Sequence, residues 1–194
     1  MFKRLWIVLP VLFAGCTTMT PIDAPAPPLA QAFIPSFEIT GRISVRHSDD
    51  GFSGNLRWRH ALGADEFIVQ TPFGQGVARV TQNSQGATLE MADGQVLHAA
   101  DAQTLTQQAL GFRLPLSGMP RWVQALASDE SAERRYAQDG TLEQLREQGW
   151  QIEYQSYQTL PQAQGAVTVP NKLSLQNADL KLRLIIDDWQ VPAP

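Results

Sequence analysis

The chain has 194 residues, which is long enough for one domain with a sizeable core. It carries 15 Lys and Arg against 19 Asp and Glu, a formal net charge of −4, which argues against nucleic acid as a partner and against a polybasic membrane-binding segment. The single cysteine excludes an internal disulfide, so the core alone must stabilise the fold.

The first sixteen residues predict an export signal followed by a lipid attachment site. Two basic residues, an uncharged apolar run over residues 5–13 and two small residues lead to Cys16. That run is too short for a hydrocarbon core of ~30 Å, which needs about 20 residues, so we interpret residues 1–15 as a lipoprotein signal peptide. The small-small-Cys ending resembles a bacterial lipobox, which implies acylation of Cys16, and Thr17 and Thr18 in place of Asp imply sorting to the outer membrane. The alternative is a plain signal peptide followed by a chance cysteine.

A proline-rich segment follows the cysteine. Five prolines between residues 17 and 35 disfavour both helix and sheet. Residues 16–35 are therefore predicted to be a lipid-anchored flexible linker, and residues 36–194 to form the folded domain.

The domain begins with short segments of alternating polarity. Phe37, Ile39, Ile43 and Val45 alternate with polar residues, which predicts a strand with one buried and one solvated face. Similar runs follow at a spacing of about 8–12 residues, typical of an antiparallel meander. The predicted strands cover residues 37–46, 52–59, 66–71, 77–81, 87–91 and 95–99.

Two helices and further strands are predicted next. Asp101 is a candidate N-cap, and apolar residues at helical spacing predict a helix over residues 102–110 that ends at Gly111. A second short helix is expected over residues 119–126, and a loop over residues 128–135. Strands are then expected at residue 136 and over residues 142–146, 150–154, 172–175 and 180–186, with a loosely coded stretch over residues 162–168.

This order predicts a mainly β protein with helices, of the α+β class. A long antiparallel meander curls because strands twist, and helices inserted midway can cover its concave face. The expected result is a sheet wrapped around an apolar interior.

No pattern for catalysis or for metal or cofactor binding is present. His47, His60 and His98 are scattered, without the spacing of a zinc site. Neither a nucleophile elbow nor a Gly-rich phosphate loop occurs. Glu38 and residues 187–188 are better explained as solvated charges than as paired catalytic carboxylates. We expect no enzymatic activity, no metal and no cofactor.

The apolar face of the predicted sheet is larger than two short helices can cover. Most of its side chains are expected to pack a core, and the remainder to line a cavity for an apolar ligand. The candidates for the cavity lining are Ile39, Ile43, Val45, Phe52, Leu56, Trp58, Phe67, Val69, Leu89, Met91, Leu105, Trp122, Trp150, Ile152, Leu182 and Leu184.

A large aromatic residue interrupts the third predicted strand. Phe73 lies between Pro72 and Gly74, at a break between two strands, and is expected on a protruding tip. An apolar tip beside a lipid tether can enter a bilayer. The alternatives are that Phe73 folds back onto the sheet or is an ordinary exposed apolar residue.

The order of several short stretches resembles the LolB family of outer-membrane lipoprotein receptors. The similarity extends from about residue 37 to residue 189, and residues 124–128 depart from the Gly- and Pro-containing sequence that the family tends to have. The matching stretches are Gly-Arg-Ile-Ser-Val at 41–45, residues 52–58, Thr-Pro-Phe-Gly at 71–74, Ala-Asp-Gly at 92–94, Ala-Asp-Ala at 100–102, Leu-Gly-Phe-Arg-Leu-Pro-Leu at 110–116, Arg-Trp-Val at 121–123 and Leu-Lys-Leu-Arg-Leu at 180–184.

This resemblance implies an open, incomplete antiparallel β-barrel of about eleven strands with a helical lid over an apolar cavity. It implies a monomer, anchored to the inner leaflet of the outer membrane and facing the periplasm. Such a protein accepts acylated lipoproteins from the carrier LolA without ATP and releases them into the phospholipid. The protruding apolar loop of the family maps onto Phe73.

Two other functions remain open on the sequence. One is a lipid-anchored envelope assembly or structural protein that binds a partner protein through its apolar face. The other is a hydrolase acting on envelope lipid, which would need polar groups converging inside the cavity.

Overall fold

The computed structural model describes residues 26–29, 32–71, 76–162 and 165–192. One antiparallel sheet of eleven strands dominates them, in the order β6-β5-β4-β3-β2-β1-β11-β10-β9-β8-β7. The strands are β1 (Phe37–His47), β2 (Asp50–Ala61), β3 (Ala64–Gln70), β4 (Gly76–Asn83), β5 (Gly86–Met91), β6 (Val96–Ala99), β7 (Glu133–Tyr136), β8 (Leu142–Glu147), β9 (Trp150–Gln162), β10 (Gly165–Gln176) and β11 (Leu180–Gln190).

The sheet is open, since β6 and β7 form its two edges in the described part of the chain. The mainly β class, the antiparallel meander and the number of strands are thus confirmed. The first and last strands are neighbours at its centre, where β1 pairs with both β2 and β11. Gly41 lies at an irregularity in the pairing of β1 with β11. A Cβ at this position would lie 2.0 Å from the Ile185 carbonyl oxygen, so the close approach of the two backbones requires glycine.

Alternation along each strand separates a buried inner face from a solvated outer face. In β1 the odd-numbered residues from Phe37 to Val45 are buried, while Glu38, Arg42 and Arg46 point outward. The same inner face on β11 is formed by Leu180, Leu182, Leu184 and Ile186. The period-2 pattern therefore sets which face lies against the core.

Two short helices connect the halves of the sheet. Helix α1 (Ala102–Leu110) packs against β4, β5 and β6, and it begins where the Asp101 carboxylate accepts a hydrogen bond of 2.7 Å from the backbone N–H of Thr104. This bond is the main reason why the pKa of Asp101 is lowered. The helix ends at Gly111, in the left-handed conformation, as predicted.

Helix α2 (Met119–Trp122) is shorter than predicted, since it ends with Val123 as its C-cap and the chain then turns at Ala125 instead of continuing as a helix to residue 126. Ala125 adopts a φ of 57°, and the N–H of Leu126 bonds back to the carbonyl of Arg121 at 2.9 Å. Such a left-handed turn is the usual end of a helix, and glycine is the usual residue in it. The turn lies within residues 124–128, the stretch where the sequence departs from the family pattern.

A second correction concerns residues 128–135, which were predicted to be a loop. Glu133–Tyr136 form the edge strand β7, whose four residues are all exposed, so no alternation marked it in the sequence. Charged side chains suit an exposed edge because they discourage pairing with another chain. No helix in the described part of the chain is long and apolar enough to cross a bilayer.

Candidate functional site

A cavity of about 260 Å³ lies between the inner face of β1–β5 and the helix α1. Its wall is almost entirely apolar, with Ser53 and Thr106 as the polar residues. The lining consists of Ile43, Phe52, Ser53, Leu56, Phe67, Val69, Ala78, Val80, Leu89, Met91, Leu105, Thr106, Ala109, Leu110, Leu114 and Leu116.

Helix α1 and the segment after it form one side of the cavity. Leu105 is fully buried on the sheet-facing side of the helix. The Thr106 hydroxyl donates to the carbonyl of Gln103 at 3.0 Å and accepts from the N–H of Leu114 at 3.1 Å, which folds residues 112–116 back beneath the helix. Because these bonds satisfy the hydroxyl, it presents no free polar group to a ligand.

The exposure of the lining residues rises toward one end of the strands. Leu56 and Leu105 are buried, Phe52 and Met91 are half-buried, and Leu110 is 40% exposed. Phe52 follows the β1–β2 turn and Met91 ends β5, so the cavity opens at this end of the sheet.

Eight of the sixteen predicted lining residues lie in this cavity wall: Ile43, Phe52, Leu56, Phe67, Val69, Leu89, Met91 and Leu105. The other eight do not: Ile39, Val45, Trp58, Trp122, Trp150, Ile152, Leu182 and Leu184. Of these, Trp150 borders a polar depression and the other seven belong to the packed core.

An aromatic cluster fills the interior behind Phe67 and explains why Trp58 is core. The Trp58 ring stacks on Phe67 at 4.8 Å, meets Phe37 edge-on at 5.1 Å, and its indole N–H donates to the Asp65 carboxylate at 2.8 Å. This carboxylate also contacts His60 Nδ1 at 2.8 Å. The cluster closes the end of the interior that lies away from the cavity mouth.

The interior of the β8–β11 half is filled by the segment that contains α2. Trp122 is buried, its indole N–H donates to Glu147 Oε2 at 2.6 Å, and its carbonyl accepts from the Tyr154 hydroxyl at 2.9 Å. Burial raises the pKa of Tyr154 well above its ordinary value, so this hydroxyl stays a donor. Side chains therefore occupy the space where the sequence placed part of a cavity.

Sequence reasoning missed six apolar residues of the cavity wall. Ala78 and Val80 continue the alternation of β4, and Ala109 shares the helical stripe of Leu105, so these three were recoverable from periodicity. Leu110 ends α1 within the same helical pattern, whereas Leu114 and Leu116 lie in the connector, where no regular period assigns a face.

The two remaining groups of predicted site residues, Cys16 and the loop Pro72, Phe73 and Gly74, lie outside the described residues. The flanking residue Thr71 follows β3, and its carbonyl accepts a hydrogen bond of 3.4 Å from the Asn55 amide, toward the same end of the sheet as the cavity mouth. Within the described part of the chain, no three His, Asp or Glu side chains come together as a metal site.

A larger depression of about 700 Å³ lies between the β8–β9 and β10–β11 turns. Its wall includes Glu133, Arg146, Gln148 and Asn177 and is predominantly polar. An open polar surface of this kind does not favour an apolar ligand, so the smaller cavity under α1 is the better candidate site.

Comparisons with known proteins give the same picture as the fold. The family model described as "Outer membrane lipoprotein LolB" matches residues 35–189. The chain is 34% identical to the outer-membrane lipoprotein LolB of Thiobacillus denitrificans, over 97% of this chain and 98% of that one. It is 36% identical to the protein of the same name from Nitrosomonas europaea, over 79% of this chain and 72% of the relative.

A solved domain described as belonging to an outer membrane lipoprotein-sorting protein of Vibrio parahaemolyticus has a related fold. It superposes with a TM-score of 0.50 over 82% of this chain and 86% of that domain, at 8% identity. The prediction that the chain is not an enzyme is confirmed by the family and the names of its relatives. The predicted resemblance is likewise confirmed, and the chain belongs to the LolB family of outer-membrane lipoproteins.

Proposed function

We propose that this chain accepts acylated lipoproteins from a LolA-type periplasmic carrier and inserts them into the inner leaflet of the outer membrane. The observation that carries this proposal is the apolar cavity under α1 in a domain of the LolB family. An interior filled completely by its own side chains would have favoured an assembly protein instead. Converging polar groups would have favoured a hydrolase, and the cavity wall has few polar atoms.

The helix and the segment after it act as a lid in this proposal. A volume of about 260 Å³ is below the range of about 300–1,000 Å³ that is usual for ligand pockets, so it holds part of one acyl chain. A cargo with several chains requires α1 and residues 112–116 to move away from the sheet. Leu110, the exposed residue at the mouth, is the first lid residue that an entering chain meets.

Transfer along this route needs no nucleotide. Burying acyl chains contributes about 0.8 kcal/mol per CH₂, so a lipoprotein does not cross water unaided but passes readily between apolar sites. A carrier, this cavity and a bilayer form a downhill series when each binds the chains more tightly than the last. The energy of each step then comes from the acyl chains themselves.

The anchor and the linker keep the domain at the membrane. Acylated Cys16 would place the chain on the periplasmic side of the outer membrane, with residues 16–35 as the tether, and we propose that the protein acts as a monomer. The described end of this linker is fastened to the domain: the N–H groups of Ala26 and Leu29 bond to the carbonyls of Gln138 and Gly140 at 2.9 and 3.0 Å. In this proposal the acylated cysteine determines where the protein is located and attaches it to the membrane, while the cavity binds the acyl chains of the cargo.

A displacement experiment tests the cavity. An apolar fluorophore bound to the protein should be displaced by an acylated lipoprotein and retained when the same protein without its acyl chains is added, because only the acyl chains compete for the apolar wall. The fluorescence emission, followed while either form of the lipoprotein is added, measures how much fluorophore is displaced and how much is retained. Equal displacement by the acylated and non-acylated forms would overturn the acyl-cavity proposal.

The loop at Phe73 is tested by a change of charge. Phe73→Glu should leave folding and cargo uptake intact but reduce delivery of cargo to liposomes, because a carboxylate opposes insertion of an apolar tip into the bilayer. The matched control is Leu62→Glu, which adds the same charge at a residue that is 75% exposed at the far end of the sheet. Normal incorporation by Phe73→Glu in a liposome transfer assay would contradict the membrane-contact role.

A further inference from the structure

The outer face of the sheet, opposite the acyl cavity, carries a cleft whose surface is mostly apolar but which is bordered by polar and charged side chains. It has a volume of about 260 Å³ and lies across β1, β2 and β11, at the centre of the sheet. It is lined by Arg42, Ile43, Ser44, Ser53, Gly54, Asn55, Arg183 and Ile185.

The register of three strands brings these side chains together. Ser44 lies directly opposite Ser53 on one side and opposite Arg183 on the other. In the next outward-facing pair toward the start of β1, Arg42 lies opposite Asn55. Two hydroxyls, an amide and two guanidinium groups, all hydrogen-bond donors, thus surround one depression, although Ser44 and Arg183 are 139 positions apart along the chain.

Three positively charged side chains without an ion pair among the described residues lie at or next to this cleft. Arg46 lies directly opposite Lys181, and like charges in such a pair are destabilising. Of the cleft residues Arg42 is paired, with Asp187 at 3.0 Å, but the ion pairs of the described residues do not include Arg46, Lys181 or Arg183.

Elsewhere on the same face, arginines are balanced. Glu38 bonds to Arg57 at 2.7 Å and to Arg59 at 3.1 Å, and these bonds lower the pKa of Glu38, the Arg57 bond most. Arg79 lies 3.5 Å from Glu66. Three of the cations without an ion pair therefore lie together at the cleft and its border, although the net charge of the chain is −4.

We propose that this cleft binds the phosphate of a membrane phospholipid headgroup. A phosphate offers several acceptor oxygens, which the planar fork of Arg183 can bind in pairs and the hydroxyls of Ser44 and Ser53 can meet from the sheet side. An anion there also relieves the repulsion between Arg46 and Lys181. The inference rests on the proposed location of the chain at a membrane but not on the acyl cavity.

The position of the cleft fits contact with headgroups. The Asn55 amide donates to the carbonyl of Thr71, so the cleft adjoins the end of β3. Acidic residues occupy the nearby turns, namely Asp49, Asp50 and Asp179. An anionic surface is therefore met by the sheet face and not by these two acidic turns.

The test measures binding of a shortened chain to vesicles at low salt. Residues 17–194 keep every described residue and lack both the leader and Cys16. Sedimentation with phosphatidylcholine vesicles containing phosphatidylglycerol should show binding that Arg183→Gln weakens about fivefold, the usual effect of one cation at an anionic bilayer surface. Arg79→Gln makes the same charge change on the same face, away from the cleft, and should change binding less than twofold.

Three results would overturn the proposal. An equal loss of vesicle binding in Arg183→Gln and Arg79→Gln would mean that the whole outer face of the sheet attracts the vesicles without a specific site. Amide shifts of Ser44 and Arg183 with glycerol 3-phosphate or inorganic phosphate, without vesicle binding, would mean a site for a soluble phosphate. Full competition by polyglutamate at equal charge would mean a site for an acidic protein. The fluorophore displacement assay is run on Arg183→Gln in parallel, so a failed headgroup site and a failed acyl cavity give different results.

Discussion

Replacing Ala109 with Phe is expected to weaken binding of acyl chains to the protein about tenfold to a hundredfold, or ~1.4–2.7 kcal/mol. Ala109 lies on α1 and lines the cavity. A phenyl ring there occupies space that is otherwise free, so it competes with the ligand. Because the ring enters a void and does not displace packed side chains, the melting temperature should stay unchanged or rise slightly.

The measurement is the affinity of the apolar fluorophore and its displacement by acylated lipoprotein. Ala78→Phe fills the same cavity from β4. This second variant is needed because a shift of α1 could make room for an acyl chain in Ala109→Phe. Ala64→Phe is the matched control, since Ala64 is exposed at the far end of the sheet. Unchanged affinity in both blocked variants, with intact folding, would show that acyl chains bind elsewhere.

The strands of the sheet could be predicted because each central strand has one solvated face and one buried face. Alternation over Phe37–His47 and Leu180–Gln190 fixes which side chains point inward, whatever the partner strands are. Helix α1 was equally clear, since Asp101 and Gly111 mark its two ends. The edge strand β7 was not, because both its faces are exposed.

Half of the candidate residues lie in the wall of the cavity under α1, because periodicity gives the side of a residue and not its depth. Leu56 and Leu184 both face inward, yet Leu56 lines the cavity and Leu184 packs in the filled core. What decides between them is where α1 and the segment after it lie, and that depends on long-range packing. The outer cleft could not be predicted from the sequence either, because Ser44 and Arg183 are brought together only by the register of β1 with β11.

The second large effect is expected at Glu147, a carboxylate that is 6% exposed at the end of β8. It accepts three hydrogen bonds, from the Trp122 indole N–H at 2.6 Å and from the backbone N–H groups of Ser128 and Asp129 at 2.8 and 2.6 Å. Glu147→Ala leaves these donors without an acceptor and should lower the free energy of unfolding by about 3 kcal/mol.

Urea denaturation followed by tryptophan fluorescence measures this loss. Glu147→Gln keeps one carbonyl oxygen for the two backbone donors but turns an NH₂ group toward the indole, so an intermediate loss is expected. Glu143→Ala, on the same strand, removes an exposed carboxylate paired with Arg135 and should cost less than about 1 kcal/mol. A loss at Glu147 no larger than at Glu143 would contradict the assigned role.

The reason for expecting so large an effect lies in what Glu147 holds in place. Its three bonds attach the chain from Trp122 to Asp129 to the end of β8, and that chain carries side chains that fill the interior of the β8–β11 half. In the β1–β5 half, α1 leaves a cavity against the sheet. Loosening Glu147 should therefore destabilise the filled half first, and in Glu147→Gln, which stays folded, the affinity of the cavity for an acyl chain should change less than twofold.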